Sequence, residues 1–191
     1  MIFPPLIRTP RLALRRWHPD DAATLQPILE ANIAHLGPWI PAHVANPAPL
    51  PQLVDRLERF AVAFDDQREW RYAIFGLAQG KLLGEASLFP RSAAGRVAWP
   101  EADELEIGYW IRQDATGEGF ATEAAEALLD AALSLTGVGR LTIRCDERNV
   151  ASAAIPRRLG FRLEGNNDGL QTWEYVSDNQ RRIDRGGRGV H

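Results

Sequence analysis

The chain has 191 residues, 45% of them hydrophobic, with a formal net charge of -3 and a pI near 5.8. That length suits one domain with a real core, and the charge excludes the broad basic surface that a nucleic-acid backbone requires. Cys145 is the only cysteine, which excludes an internal disulfide and a paired-cysteine metal site and points to a reducing cytoplasm.

The opening MIFPPLIRTPRL is interrupted by prolines and Arg8, unlike a signal peptide, and no later stretch approaches the ~18–20 apolar residues of a membrane span. A soluble, cytoplasmic protein is expected, with neither nucleic acid nor membrane as partner. RLALRRW alternates as a short strand does, and Asp20 and Asp21 are placed to open a helix over the residues that follow. Gly37–Pro51 holds Pro38, Pro41, Pro47, Pro49 and Pro51 and reads as an irregular loop with an apolar tip at Trp39 and Ile40. In QLVDRLERFAVAF, Leu53, Leu57, Phe60 and Phe64 fall at helical spacing.

WRYAIFGL and KLLGEASLF flank the short connection Ala78-Gln79-Gly80 and predict an antiparallel pair. RSAAGRVAWPEAD reads as a loop and ELEIGYWI, Glu104–Ile111, as the next strand. A strand–turn–helix follows, with a stripe of Ala121, Ala124, Ala125, Leu128, Leu129 and Ala132 on the helix. RLTIRC is a strand, NVASAAIPRRLG a short helix in which Pro156 removes the amide that would bond to the Ser152 carbonyl, and FRLEG and LQTWEYV a hairpin joined by NNDG. The polar, basic segment 177–191 reads as a disordered tail. The order is a mixed α/β layout rather than a strict βα repeat.

The turn Thr116-Gly117-Glu118-Gly119-Phe120-Ala121-Thr122 passes from strand to helix through glycines that let a ligand approach the backbone, and a helix N-terminus offers unpaired amides to a phosphate. A bare Gly-x-Gly is equally a tight connection and nothing more. Thr122 stands where a dinucleotide fingerprint has its third glycine, and the Gly-Lys-Ser/Thr ending of a triphosphate loop is absent. Neither Lys nor Arg occurs in the turn, so its backbone amides are the candidate phosphate ligands. Downstream, Asn149 is placed to cap the helix that carries Ser152. Glu106 alternates with Leu105 and Ile107 beside this turn and is the candidate general base, directly or through water; substrate positioning or a salt bridge is its alternative role, and Glu104 is the reserve. The histidines lack metal-ligand spacing, no Gly-x-Ser-x-Gly elbow occurs, and Cys145 reads as a small core residue.

GEGFATEA and NVASAAIPRRLGF, following ELEIGYWI, together closely resemble the GNAT superfamily of acetyl-CoA-dependent N-acetyltransferases, most like its RimJ/RimL-type branch. The resemblance runs from RTPRLALRRWHPDDA to LQTWEYV and is weakest from Gly37 to Arg71. It implies one domain over residues 1–176 ahead of the tail. The implied fold is a central twisted, mostly antiparallel sheet with a parallel splayed pair at the cofactor site, flanked by helices. It implies acetyl-CoA as co-substrate, with no metal.

The family's Gln/Arg-x-x-Gly-x-Gly/Ala signature falls on Thr116, Gly119 and Ala121. Thr116 replaces the usual Gln or Arg, which leaves the amides of Gly117, Glu118, Gly119, Phe120, Ala121 and Thr122 to cradle the pyrophosphate. By the same resemblance, the backbone at Trp110 and Ile111 pairs with the pantetheine arm, Asn149 contacts that arm, Ser152 lies near the thiol as its proton donor, and Arg157 or Arg158 reaches the nucleotide phosphate. Trp39 and the second helix are expected to wall the acceptor pocket. The acceptor is an amine, on a small molecule or a protein N-terminus, and a homodimer is compatible with the family. A non-catalytic acyl-CoA sensor and a dinucleotide-binding oxidoreductase are the alternatives.

Overall fold

The computed structural model describes residues 3–134 and 139–176; the tail over 177–191 lies outside them. Strand β1 (Leu6–Arg8) pairs antiparallel with β2 (Leu12–Arg16). The three residues of β1 are too few for a periodicity to show, and the strand exists through its pairing. A single turn at Pro19–Asp21 leads into α1 (Ala22–Ala31) and α2 (Ile33–Leu36). Gly37–Pro51 is not wholly irregular: it contains α3 (Ala42–Ala45), and α4 (Leu50–Asp65) already begins at Leu50. The prolines there start a helix instead of preventing one, because a first-turn residue has no intrahelical use for its amide.

Strands β3 (Trp70–Gly76) and β4 (Lys81–Ser92) form the expected antiparallel pair. β4 runs past Pro90, and the segment read as a loop holds β5 (Gly95–Arg96), which folds back on β4 with Arg91 opposite Arg96. Next come β6 (Glu104–Ile111), α5 (Phe120–Leu133), β7 (Arg140–Asp146), α6 (Val150–Arg158), β8 (Arg162–Asn167) and β9 (Leu170–Val176). The last hairpin turns on Asp168 and Gly169, both with positive φ (52° and 85°), the signature of a two-residue turn that matches strand twist.

The strands form one sheet in the order β1-β2-β3-β4-β6-β7-β9-β8, with β5 beside β4. Among the described residues β6 and β7 are the only parallel neighbours, so the expected mostly antiparallel sheet with one parallel pair is observed. One face packs on the alanine and leucine stripe of α5: Ala124, Ala125, Leu128, Leu129 and Ala132 are buried against a cluster that includes Leu88, Leu105, Ile107 and Ile143. The other face is covered by α1 and α4, through Leu25, Leu29, Leu53 and Leu57 with Trp17, Ala73 and Leu82. Because β3 is buried on both faces, its sequence reads as a continuous apolar run instead of alternating.

The decisive feature lies between β6 and β7. Their pairing runs only from Glu104 opposite Arg140 to Ile107 opposite Ile143. Beyond that point β6 stays with β4 as far as Ile111 opposite Gly84, while β7 stays with β9 as far as Asp146 opposite Leu170. The sheet therefore splits. Gly84 permits the close approach of β4 to β6, since a Cβ there would stand 2.0 Å from the Trp110 carbonyl oxygen.

Candidate active site

The turn after β6 is built by two left-handed glycines, Gly117 (φ 83°) and Gly119 (φ 81°), the second standing immediately before the first residue of α5. Among the described residues, no hydrogen-bond partner is found for the amides of Gly117 through Thr122. Thr116 turns inward on its own loop, its hydroxyl donating to the Gln113 carbonyl at 2.7 Å. Glu118 is exposed.

The outer side of the turn is held from the N-terminal segment. Arg11 donates to the Glu118 carbonyl at 2.9 Å and lies 4.7 Å above the Phe120 ring. Glu123 accepts from the Thr9 hydroxyl at 2.5 Å, the Arg11 amide at 2.9 Å and the Arg11 Nε at 2.6 Å. Its acidic side chain thus faces a structural anchor. Burial acts to raise the Glu123 carboxyl, but these bonds outweigh it and hold the group below its ordinary value. A carboxylate depressed in this way stabilises the fold above its unfolded pKa of about 4.3, and that contribution disappears as the pH falls through the lower folded-state value. Glu123→Gln is therefore expected to lower the melting temperature near neutral pH and to weaken its dependence on acid. Thermal melts of both proteins from about pH 7 to about pH 3 check this, and parallel curves would remove Glu123 from the acid transition.

Two cavities open where the sheet splits, one of about 340 Å³ on the turn side and one of about 230 Å³ on the far side of β6. They meet at six residues that line both: Trp39, Ile40, Tyr109, Trp110, Asn149 and Ser152. The turn-side cavity also takes in Ile111, Thr116, Gly117, Gly119, Phe120, Ala121 and Thr122. Glu118 is not in its lining, and neither is Arg157, whose guanidinium sits 5.1 Å over the Trp173 ring; Arg158 lines the cavity instead. The Ile111 carbonyl is engaged at 3.1 Å by Nε2 of His35, and buried Asn32 accepts from the Gln113 amide at 2.7 Å. These two ties between the α1–α2 junction and the end of β6 span about eighty residues and leave no local trace in the sequence.

At the junction Asn149 caps α6, its side-chain oxygen accepting from the Ser152 amide at 3.1 Å. Pro156 has no N–H to offer the Ser152 carbonyl, and the Tyr109 hydroxyl takes that acceptor at 3.1 Å. The Ser152 hydroxyl in turn lies 3.4 Å from the Tyr109 oxygen. Burial pushes the Tyr109 phenol well above its usual range, so it remains a proton carrier at neutral pH. Sequence reasoning assigns no role to Tyr109; it lies on the strand face opposite Glu106 and Trp110, and the split brings it into both cavities. Cys145 is buried and lines the far cavity, with its thiol pushed up by burial, unlike an activated nucleophile.

The far cavity is lined by charge. Glu106 Oε2 is hydrogen-bonded to Arg144 and lies 2.5 Å from Arg91 Nε, an ion contact whose angle is not that of a hydrogen bond. Glu104 is buried behind it, bonded to Thr142 at 2.8 Å and Arg144 at 2.8 Å, and lines neither cavity. Deeper in, Glu85 accepts from Arg71 at 2.7 Å, Trp17 at 2.8 Å and Ser87 at 3.1 Å, and Arg71 is stacked between the rings of Phe60 and Phe89. Trp39 lines both cavities, no residue of α4 lines either, and Trp39, Ile40, Pro41, His43 and Val44 form one wall of the far cavity.

Two cavities thus share a hydroxyl-bearing junction, one edged by amides that are unpaired among the described residues and the other by an ion network. The chain belongs to the GNAT acetyltransferase family: the family model described as an acetyltransferase (GNAT) domain matches residues 11–162. The Bacillus subtilis (strain 168) protein named "Putative ribosomal N-acetyltransferase YdaF" is 29% identical over 171 residues, which is 83% of this chain and 82% of the relative. Among solved structures, RimL, a ribosomal L7/L12 alpha-N-protein acetyltransferase in complex with coenzyme A, matches with a TM-score of 0.75 at 20% identity, covering 93% of this chain and 99% of RimL. The microcin C7 self-immunity acetyltransferase MccE in complex with acetyl-CoA and AMP matches at 0.74 and 19%, covering 88% and 94%. At these identities the two structures speak for the fold. The protein is an N-acetyltransferase, and nothing in these relationships supports the sensor or oxidoreductase alternatives.

Proposed function

We propose that this acetyltransferase binds acetyl-CoA in the turn-side cavity and moves its acetyl group to a primary amine in the far cavity, with a peptide N-terminus or a small amine as acceptor. The observation that carries this reading is the meeting of the two cavities at Tyr109, Asn149 and Ser152. Fit to a diphosphate is supported by the run of amides from Gly117 to Thr122, unpartnered among the described residues, at the positive end of α5, with Arg158 lining the same cavity. The edge of β6 that β7 leaves after Ile107, at Trp110 and Ile111, and the side chain of Asn149 would hold the pantetheine arm, with His35 already on the Ile111 carbonyl.

Acetyl-CoA supplies an activated thioester. An amine acceptor arrives largely protonated, since a free α-amine has a pKa near ~8 and a lysine near ~10.4. Glu106 takes that proton on Oε1, directly or through one water; its Oε2 is occupied by Arg144 and Arg91, which fix the carboxylate in place. The Ser152 and Tyr109 hydroxyls, in contact with each other, would return a proton on the sulfur side of the junction, and a strand amide near Trp110 or Ile111 would stabilise the carbonyl oxygen. Holding both reactants in the cleft provides the orientation. Relatives named for ribosomal proteins favour a protein N-terminus as acceptor. The continuous sheet supports one domain over residues 1–176, and the absence, among the described residues, of a helix able to cross a membrane fits a cytoplasmic enzyme.

The test is acetyl transfer from acetyl-CoA to a panel of peptides with varied N-terminal residues and of small amines, read by thiol release and product mass. Release that depends on an acceptor is expected; acetyl-CoA binding with no transfer to any amine would overturn the assignment of the far cavity.

A further inference from the structure

The far cavity has a lopsided set of open hydrogen-bonding groups. Its lining includes Arg71, Arg91, Arg96 and Arg144, against Glu85, Glu106 and Asp146. The carboxylates are committed. Glu85 is used on both oxygens by Arg71, Ser87 and Trp17, and Asp146 on both by Arg148. Glu106 is engaged on Oε2, and among the described residues its Oε1 has no hydrogen-bond partner. The arginines are less committed. Arg71 and Arg144 are held by glutamates, but no hydrogen bond from the Arg91 guanidinium is found among the described residues, and the Arg96 guanidinium has one, from Nη1 to Glu69 at 2.9 Å.

Arg91 and Arg96 are directly opposite one another across the β4–β5 pair, so two like charges that both line the cavity stand side by side. Burial lowers the Arg96 guanidinium, and the nearby Arg71 and Arg91 push it the same way against Glu69. Each guanidinium is met by one carboxylate, Arg91 by Glu106 and Arg96 by Glu69, and each keeps further N–H groups that an anion between them would engage. One open carboxylate oxygen therefore lies beside two incompletely satisfied guanidinium groups, with Arg91 in contact with Glu106 itself.

We propose that the acceptor is an amine carrying a carboxylate a few bonds away, with the amine at Glu106 Oε1 and the carboxylate read by Arg91 and Arg96. This rests on the far cavity being the amine site. Two sources supply that chemistry: the α-carboxylate of a free amino acid, or an acidic side chain at or next to a peptide N-terminus.

Acetylation kinetics on matched pairs test it. One pair is a set of peptides that differ only in Asp or Glu against Asn or Gln in the first two positions; the other is a free amino acid against its amide. In at least one pair, kcat/KM for the acid is expected to exceed that for the amide by about tenfold or more, and the pair that shows it identifies the source. Arg96→Gln, and separately Arg91→Gln, should bring that ratio towards one by raising KM for the acid, with Arg96→Lys restoring part of it. Coenzyme A affinity of each variant reports whether the fold is intact. Equal use of acid and amide by the wild-type enzyme in both pairs would overturn the proposal while leaving amine acetylation standing. So would an acid preference that survives in both variants. Failure to acetylate any amine would overturn both.

Discussion

Gly119→Val is expected to weaken coenzyme A binding by about one to two orders of magnitude while leaving the protein folded. Gly119 sits at φ 81°, where a β-branched side chain costs about 1–3 kcal/mol, and an added Cβ would meet Arg11 Nη2 at 3.4 Å. The chain relieves that strain by moving the turn, and the turn is where the unpartnered amides from Gly117 to Thr122 are aligned. Titration calorimetry with coenzyme A, paired with thermal melting, checks the result. Gly117→Ala is the informative companion, because φ there is 83° yet nothing lies within 4 Å of the new Cβ. A loss at both positions assigns the effect to backbone conformation, a loss at Gly119 alone to the contact with Arg11. Unchanged affinity in the valine variant would show that the amides do not hold the cofactor.

Glu106→Gln is expected to lower kcat by about 10²-fold or more near neutral pH, with little change in coenzyme A affinity. The substitution keeps the shape of the side chain and removes its ability to take a proton. A general-base role also has a signature in pH. As the medium rises through the acceptor's own pKa, near ~8 for an α-amine, the amine arrives already neutral and the need for a base fades. The ratio of wild-type to variant rate should therefore shrink from about pH 7 to about pH 9.5. A ratio constant across that range would mean that Glu106 acts by orienting Arg91 and Arg144 or the acceptor, since positioning by those contacts does not depend on the acceptor's protonation.

Much of the site-bearing architecture was legible because its signals are local. The strand Glu104–Ile111 alternates, the α5 stripe repeats at helical spacing, and Gly117 and Gly119 mark a backbone that only glycine adopts readily. The segments that were misread are those in which tertiary pairing outweighs a local breaker. Pro90 interrupts the strand pattern, yet β4 continues through it because Leu105 and Val97 pair across from it. The proline-rich stretch reads as irregular in sequence, although proline at the start of α4 is locally favourable. In the site, Glu106 follows from strand alternation and Ser152 from the family resemblance. Tyr109, Arg11, His35 and Arg91 follow from neither, since each acts on a partner distant in sequence or across a split that no single strand announces.

The Pro156–Ser152–Tyr109 contact shows where local and long-range information divide. That Pro156 frees the Ser152 carbonyl follows from covalent structure and the four-residue helical repeat, and both are written in the chain. That the freed acceptor receives the hydroxyl of Tyr109, 43 residues away in sequence, depends on β6 and β7 parting after Ile107 and Ile143. The sequence by itself determined the element types, the glycine turn, the capped helix and the family they resemble, all of which rest on spacings of a few residues. Only the tertiary structure decided which face of the split each charge occupies, that Arg158 rather than Arg157 reaches the turn-side cavity, and that Arg91 and Arg96 stand opposed in the lining of the far one. Those outcomes depend on strand register and splay, which are set by the packing of the whole sheet between α5 on one side and α1 and α4 on the other.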